Sequence, residues 1–270
     1  MESWILQLFI FTSLFVNLDR EDKNIMNHKI IFLFLSTFST ISYAQQYDST
    51  YGKYLIVLVE TDPWLMVIGS DVPTFALYEN GQIIYKSIEN EKVKFYEVNL
   101  TQTELQKVIQ SLKITDELYK LNHIEASDWT DQPTNVLILN FKMKKAISVY
   151  GRLKSNGEAR EKTPKEFLVV YDNIKNYKNP NAKEWLPNQI EVMFWDYNYA
   201  QNKRPWIEGF PDLKSPTTIK INDELYSVFI DKKDFEKFKK YYSSMSANEA
   251  VDINGRKMTI SYRFPFPNMK

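Results

Sequence analysis

Two Asn-Gly pairs, Asn80-Gly81 and Asn254-Gly255, each interrupt a run of alternating apolar residues, and this pattern confines the chain to a fold built on antiparallel hairpins. Asn-Gly is the strongest short hairpin signal because both central residues of the tightest turns need positive φ. Thr74–Tyr78 and Gln82–Tyr85 flank the first pair, and Ala250–Phe264 holds the second. Tyr54–Val59 is apolar on both faces, as a central strand is. Further strands are expected at Lys92–Val98, at Val136–Phe141 turning through Lys142–Lys145 into Ala146–Tyr150, at Gln189–Asn198, and as a hairpin over Thr217–Ile230.

Three helices punctuate the hairpins. Thr101 and Glu104 form a capping box, in which hydroxyl and carboxylate satisfy orphan amides, ahead of a stripe of Leu105, Val108, Ile109 and Leu112. Thr163, Pro164 and Glu166 predict a second box with proline in the first turn, followed by Phe167, Val170, Tyr171 and Ile174. Lys232–Tyr242 places Phe235, Phe238 and Tyr242 on one face and five lysines on the other, which reads as a solvated surface with anionic membrane as the competing reading. The expected class is α+β, antiparallel hairpins packed with three helices. Two lobes of one hairpin-helix-hairpin plan, 45–187 and 188–270, are expected, matching in order rather than in identity.

An export leader shapes the N-terminal reading. His28 and Lys29 precede the apolar run Ile30–Phe38, and Ser42 and Ala44 place small residues before a cleavage site at Gln45. Residues 26–44 are therefore expected to be a signal peptide and 1–25 an upstream extension from a misplaced start, with Met26 the true one. Trp4–Val16 lacks a basic lead, and both apolar runs fall short of the roughly 18–20 residues that cross a bilayer as a helix. The mature chain is expected to be periplasmic, at the cell surface or secreted, with no transmembrane span.

Lysine plus arginine and aspartate plus glutamate both number 34, so no net field draws the protein to nucleic acid, and none is expected as a partner. With no cysteine, neither disulfides nor thiolate metal sites nor a lipid-bearing cysteine are available, so stability must come from burial. The 15% aromatic content supplies it. Of two histidines only His123 follows the leader, which removes any two-histidine metal site and forces a serine triad to use that residue. Seven glycines form neither a dinucleotide nor a P-loop motif.

The stretch from Pro73 to Tyr85 (PTFALYENGQIIY), followed by Leu100–Ile109 (LTQTELQKVI), resembles a family of uncharacterised exported or lipid-anchored bacterial proteins. In that family a P-x-F-x-L-Y-x-D-G strand-turn precedes a helix opening L-[ST]-x-x-[EQ], an Asp-containing loop precedes the next strand, and the last strand ends near R-P-L-L-P. Here the ending keeps Arg263 and Pro267 and departs between them. The resemblance spans most of residues 54–267 and brings no activity or catalytic residue with it.

The aromatic segment from Phe194 to Trp206, running on to Phe210, is the first candidate site. Trp195, Tyr197, Tyr199, Arg204 and Trp206 combine stacking faces with polar donors, suited to a glycan or protein of the cell envelope. Packing onto the core is the competing account, since loop aromatics often anchor. Glu60, Asp62, Glu191 and Asp196 flank apolar strands and are the carboxylates that a polysaccharide hydrolase would use. Asp128 and Asp131 with their neighbouring hydroxyls fall short of a calcium loop. The expected role is non-catalytic, a binding or structural module without metal or cofactor, and a carboxylate-dependent hydrolase is the alternative.

Overall fold

The computed structural model describes residues 48–269 apart from 66, 68, 91, 154–156 and 247; the extension 1–25 and the leader 26–44 lie outside the described residues. The first sheet has eight strands in the order β5-β7-β6-β1-β2-β3-β4-β8. In chain order these are β1 (Tyr54–Glu60), β2 (Pro73–Tyr78), β3 (Gln82–Glu89), β4 (Lys92–Asn99), β5 (His123–Glu125), β6 (Thr134–Asn140), β7 (Lys144–Tyr150) and β8 (Lys183–Glu184). Helices α1 (Gln102–Ser111), α2 (Asp116–Lys120), α3 (Glu158–Lys162) and α4 (Lys165–Lys175) interleave with them. The second sheet has six strands: β9 (Gln189–Asp196), β10 (Asn202–Pro205), β11 (Ile219–Lys220), β12 (Leu225–Asp231), β13 (Glu249–Ile253) and β14 (Arg256–Arg263). A 3-10 turn at Lys232–Asp234 leads into α5 (Phe235–Ser243). The fold is α+β and its strands pair antiparallel, except β5 with β7 and β10 with β13, which run parallel.

β1 is flanked by β2 and β6, and its double-faced apolar pattern serves two cores at once. Ile56 and Leu58 point to the helix side with Leu105, Leu118, Phe167, Val170 and Ile174 of α1, α2 and α4. Val57 faces the other way, with Ala76, Tyr78, Ile84 and Phe95, beneath Trp185 and Phe266. In the second sheet Ile190, Val192 and Phe194 of β9 pack against Phe235 and Phe238 of α5. On the opposite face of β9, Met193 is 3% exposed and Glu191 is 5% exposed and takes a hydrogen bond from Ser227 at 2.6 Å.

Three local expectations are corrected. Asn80-Gly81 is not a two-residue turn with positive φ at both positions. Gly81 alone is left-handed, at φ +89°, because the loop includes Glu79 and the Asn80 side chain accepts the Gln82 amide at 3.0 Å. Asn254-Gly255 does have both values positive, at +51° and +82°. Thr101 and Glu104 form their box, but Thr163 does not cap α4: its hydroxyl donates to the Ala159 carbonyl at 2.5 Å and closes α3 instead. Five α-helices are described rather than three, α2 and α3 being five residues each and too short for apolar periodicity to register.

The chain's end ties the two sheets together. Past β14, Phe264 and Phe266 cross onto the outer face of the first sheet, and the Tyr78 hydroxyl donates to the Pro267 carbonyl at 3.0 Å. Asn268 then donates to the Asp48 and Gly52 carbonyls at 2.8 and 2.6 Å.

Candidate functional site

Where the outer ends of β3 and β4 approach α5, the two sheets leave a cleft of about 320 Å³. That volume falls at the lower end of the usual range for ligand pockets, roughly 300–1,000 Å³. Strand alternation delivers its floor. Phe95 points out of the first sheet, and the Trp185 amide donates to the Phe95 carbonyl at 2.7 Å, which lays the indole beside that ring at 6.2 Å. Phe264 sits 5.4 Å from Phe95 and 5.3 Å from Phe235, and Tyr262 lies 5.7 Å from Phe235, all edge to face. Five aromatic rings from both sheets and α5 thus make one apolar surface.

Charge lines the rim in pairs. Lys94 meets Glu184 at 3.4 Å, Lys239 meets Glu236 at 2.7 Å, and Arg263 grips Glu191 at 2.7 Å. The hydrogen bond to Glu184 raises the Lys94 ammonium above its ordinary value, and burial raises the Tyr262 hydroxyl. The rim therefore offers donors and acceptors with little net charge. No serine, threonine, cysteine or histidine is among the lining residues, and the glutamates that line it, Glu184 and Glu236, are each paired with a lysine. Phe95, Trp185 and Phe235 are each at most 6% exposed, so these rings pack largely against one another beneath the cleft.

The aromatic segment nominated by the sequence divides between the two faces of the second sheet. Phe194 points to α5, where its ring meets Trp206 at 5.0 Å, whereas Trp195, one residue on, points to the other face and reaches Glu224 at 3.5 Å. Trp206 is a packing residue in this geometry, with rings of Phe210, Phe238 and Tyr241 within 6.1 Å and its indole N–H given to the Pro211 carbonyl. Arg204 closes the C-terminus of α5: it donates to the Ser244 carbonyl at 2.9 Å, pairs with Glu249 at 2.8 Å and lies over the Tyr241 ring. Tyr197 and Tyr199 meet edge to face at 4.8 Å in the connection after β9, and Tyr199 is 83% exposed. The five residues do not share one platform.

The nominated carboxylates are mostly neutralised. Glu60 accepts from Lys175 at 2.5 Å, Tyr171 at 2.7 Å and Thr74 at 2.8 Å. Burial pushes its acid up, but these partners outweigh burial and hold it below its ordinary value of 4.5. Glu191 is held by Arg263, and Asp196 by Arg256 at 2.5 Å. Asp62 accepts the Trp64 amide at 3.0 Å and lies close to Asp71, whose carboxyl burial raises. Asp128 pairs with Lys162 at 2.6 Å, and among the described residues no three His, Cys, Asp or Glu side chains gather to hold a metal.

His123 bridges a serine and a carboxylate: Nδ1 lies 2.7 Å from Ser148 Oγ and Nε2 lies 2.9 Å from Glu125 Oε1. This order matches a nucleophile, base and orienter. Ser148 is nevertheless mid-strand, its own amide donating to the Asn122 carbonyl at 3.0 Å, so the neighbouring amides belong to the sheet rather than to an oxyanion hole. His123 and Glu125 are exposed, with side chains 52% and 67% accessible. The triplet stitches β5 to β7.

Sequence reasoning missed the cleft. Its rings come from positions far apart in the chain, and Phe95, Trp185 and Phe264 carry no local motif. A faint signal existed in Trp185, a large apolar residue between Pro180 and Pro187 in a stretch too polar to be a strand core. No protein-family model, no curated protein and no solved structure matches the chain.

Proposed function

We propose that the protein is a non-catalytic binding or structural module that works outside the cytosol, in the periplasm, at the cell surface or in the medium. A glycan or protein of the envelope is its partner. The leader at 26–44 and the resemblance to exported or lipid-anchored bacterial proteins support the location. We read 45–187 and 188–270 as two lobes, each with its own sheet, and the cleft between their sheets as the ligand site. The observation that carries this reading is the cluster of five rings beneath a rim of paired charges, in a cleft that no serine, threonine, cysteine or histidine lines.

The test is capture from envelope fractions and on a glycan array by the purified protein. Glu236→Ala and Lys239→Ala remove rim groups that are outside the core, so each should weaken capture about tenfold, or 1.4 kcal/mol, without lowering the melting temperature. Undiminished capture by both variants would remove the cleft from the mechanism. The competing hydrolase requires one carboxyl held protonated near an ionised partner. Release of reducing ends from an envelope polysaccharide, abolished by Asp71→Asn, would establish that alternative instead.

A further inference from the structure

At one end of the first sheet two loops leave adjacent strands, and their roots are tied together. The Thr61 amide donates to the Thr134 carbonyl at 2.9 Å, and the Thr134 amide returns a bond to Thr61 Oγ1 at 3.0 Å. Each loop holds an indole out in water: Trp64 is 71% exposed and Trp129 is 73% exposed. The other tryptophans that the structure describes are covered wholly or in part.

The backbone beneath both indoles is fixed. Asp62 accepts the Trp64 amide at 3.0 Å while its own amide donates to Asp71 at 2.8 Å. Ser127 Oγ accepts the Trp129 amide at 3.2 Å, and the Tyr150 hydroxyl donates to the Trp129 carbonyl at 3.1 Å. Large aromatic side chains are ordinarily drawn inward. Two of them presented outward on ordered turns give the fold nothing, but they spare a partner the entropy of organising them.

Charge narrows the partner. Residues 61–72 and 126–133 contain Asp62, Asp71, Asp128 and Asp131 and no lysine or arginine, in a chain whose formal net charge is zero. Lys162 reaches in to Asp128 from α3 but is shared with Glu158 at 2.7 Å, and Arg263 donates to the Gly69 carbonyl at 2.6 Å but is paired with Glu191 at 2.7 Å. Tryptophan is the best aromatic face for a cation, and a planar guanidinium both stacks on it and donates to carboxylates. Anionic headgroups would be repelled by these loops, and an uncharged glycan would gain no electrostatic attraction from them.

We infer that this end of the first sheet is a docking surface for an arginine-bearing peptide segment of a partner protein, with Trp64 and Trp129 stacking on guanidinium groups and Asp62 and Asp131 accepting from them. Trp64, Trp129, Asp62 and Asp131 do not line the cleft, although the first loop reaches it at Val72.

The experiment titrates the full protein with a peptide of alternating glycine and arginine, followed by calorimetry and tryptophan fluorescence, against a peptide with glutamine at each arginine. The arginine peptide should bind and the glutamine peptide should not. The Trp64→Ala/Trp129→Ala double variant should bind at least about tenfold more weakly, with its melting temperature unchanged because both side chains are exposed. Asp131→Asn should weaken binding about threefold, and added salt should weaken it further. Glu236→Ala, in the cleft, should leave it untouched, which separates failure here from failure of the cleft. No binding of the arginine peptide, equal binding of the glutamine peptide, or undiminished binding by the double variant would overturn the inference. So would adhesion to an uncharged glycan or to lipid vesicles that the double variant abolishes.

Discussion

Glu60 ends β1 with both carboxylate oxygens occupied, by Tyr171 on one and by Lys175 and Thr74 on the other. Its side chain is 13% exposed and that of Lys175 27%, so the pair is half-sheltered rather than dry. Glu60→Gln should therefore cost about 1–3 kcal/mol at neutral pH, less than the 3–5 typical of a wholly buried pair that loses a partner. A depressed folded value means that the ionised form stabilises above the unfolded value of 4.5 and that this contribution fades as pH falls through the folded value. Urea unfolding of wild type and variant should converge in acid, and a gap that stays constant down to pH 3 would show that the charge is irrelevant. Trp206 makes an opposite case from the same segment. With four rings around it and a bonded indole N–H, Trp206→Ala should cost about 2–4 kcal/mol. Unchanged unfolding together with lost partner capture would return it to a recognition role.

At the scale of elements, two glycine turns and one cap allow a graded test. A Cβ on Gly81 would strike the Leu100 carbonyl oxygen, whereas one on Gly255 meets nothing within contact distance. Both residues have positive φ, so Gly255→Ala should lose about 1–2 kcal/mol from the left-handed backbone alone and Gly81→Ala measurably more. Equal losses in chemical denaturation would mean that the contact between the β2–β3 turn and the β4–α1 link yields freely. Thr101→Ala removes the cap of α1 and should cost about 1 kcal/mol. Thr163→Ala should act on α3, where its hydroxyl is bonded, and hydrogen exchange resolved to Glu158–Lys162 would detect it. Cap chemistry was legible at Thr101 because its partner Glu104 lies three residues on, and the turn at Asn254 because its backbone closes between the paired residues Ile253 and Arg256. Local chemistry misled at Thr163 because a one-turn helix upstream competed for the same hydroxyl, and at Asn80 because the loop was one residue longer than the pair suggested.

At the scale of the molecule, the C-terminal tail joins the two sheets. Phe266 is 2% exposed against Phe95 and Trp185, at 5.8 and 5.1 Å, on the outer face of the first sheet. Phe266→Ala should cost about 3–5 kcal/mol. Calorimetry should show the single transition broadening or splitting as the sheets lose their shared core, and one sharp transition at an unchanged temperature would assign the coupling elsewhere. Among the described residues no helix is long and apolar enough to cross a membrane. With no cysteine in the chain, this shared aromatic core does the stapling that disulfides do elsewhere.

Local periodicity and short-range hydrogen bonding determined, from sequence alone, that this chain is α+β, that β1 is central, and that α4 buries the whole stripe named for it while α1 and α5 bury theirs in part. Those features depend on neighbours within one turn or one strand. Tertiary structure alone decided that Trp195 and Trp206 face opposite ways, that β5 and β10 join their sheets in parallel, and that Phe95, Trp185 and Phe264 meet in one cleft. Each of these depends on contacts between residues from 12 to more than 150 positions apart, and burial has no direction along the chain by which a sequence could announce its partner.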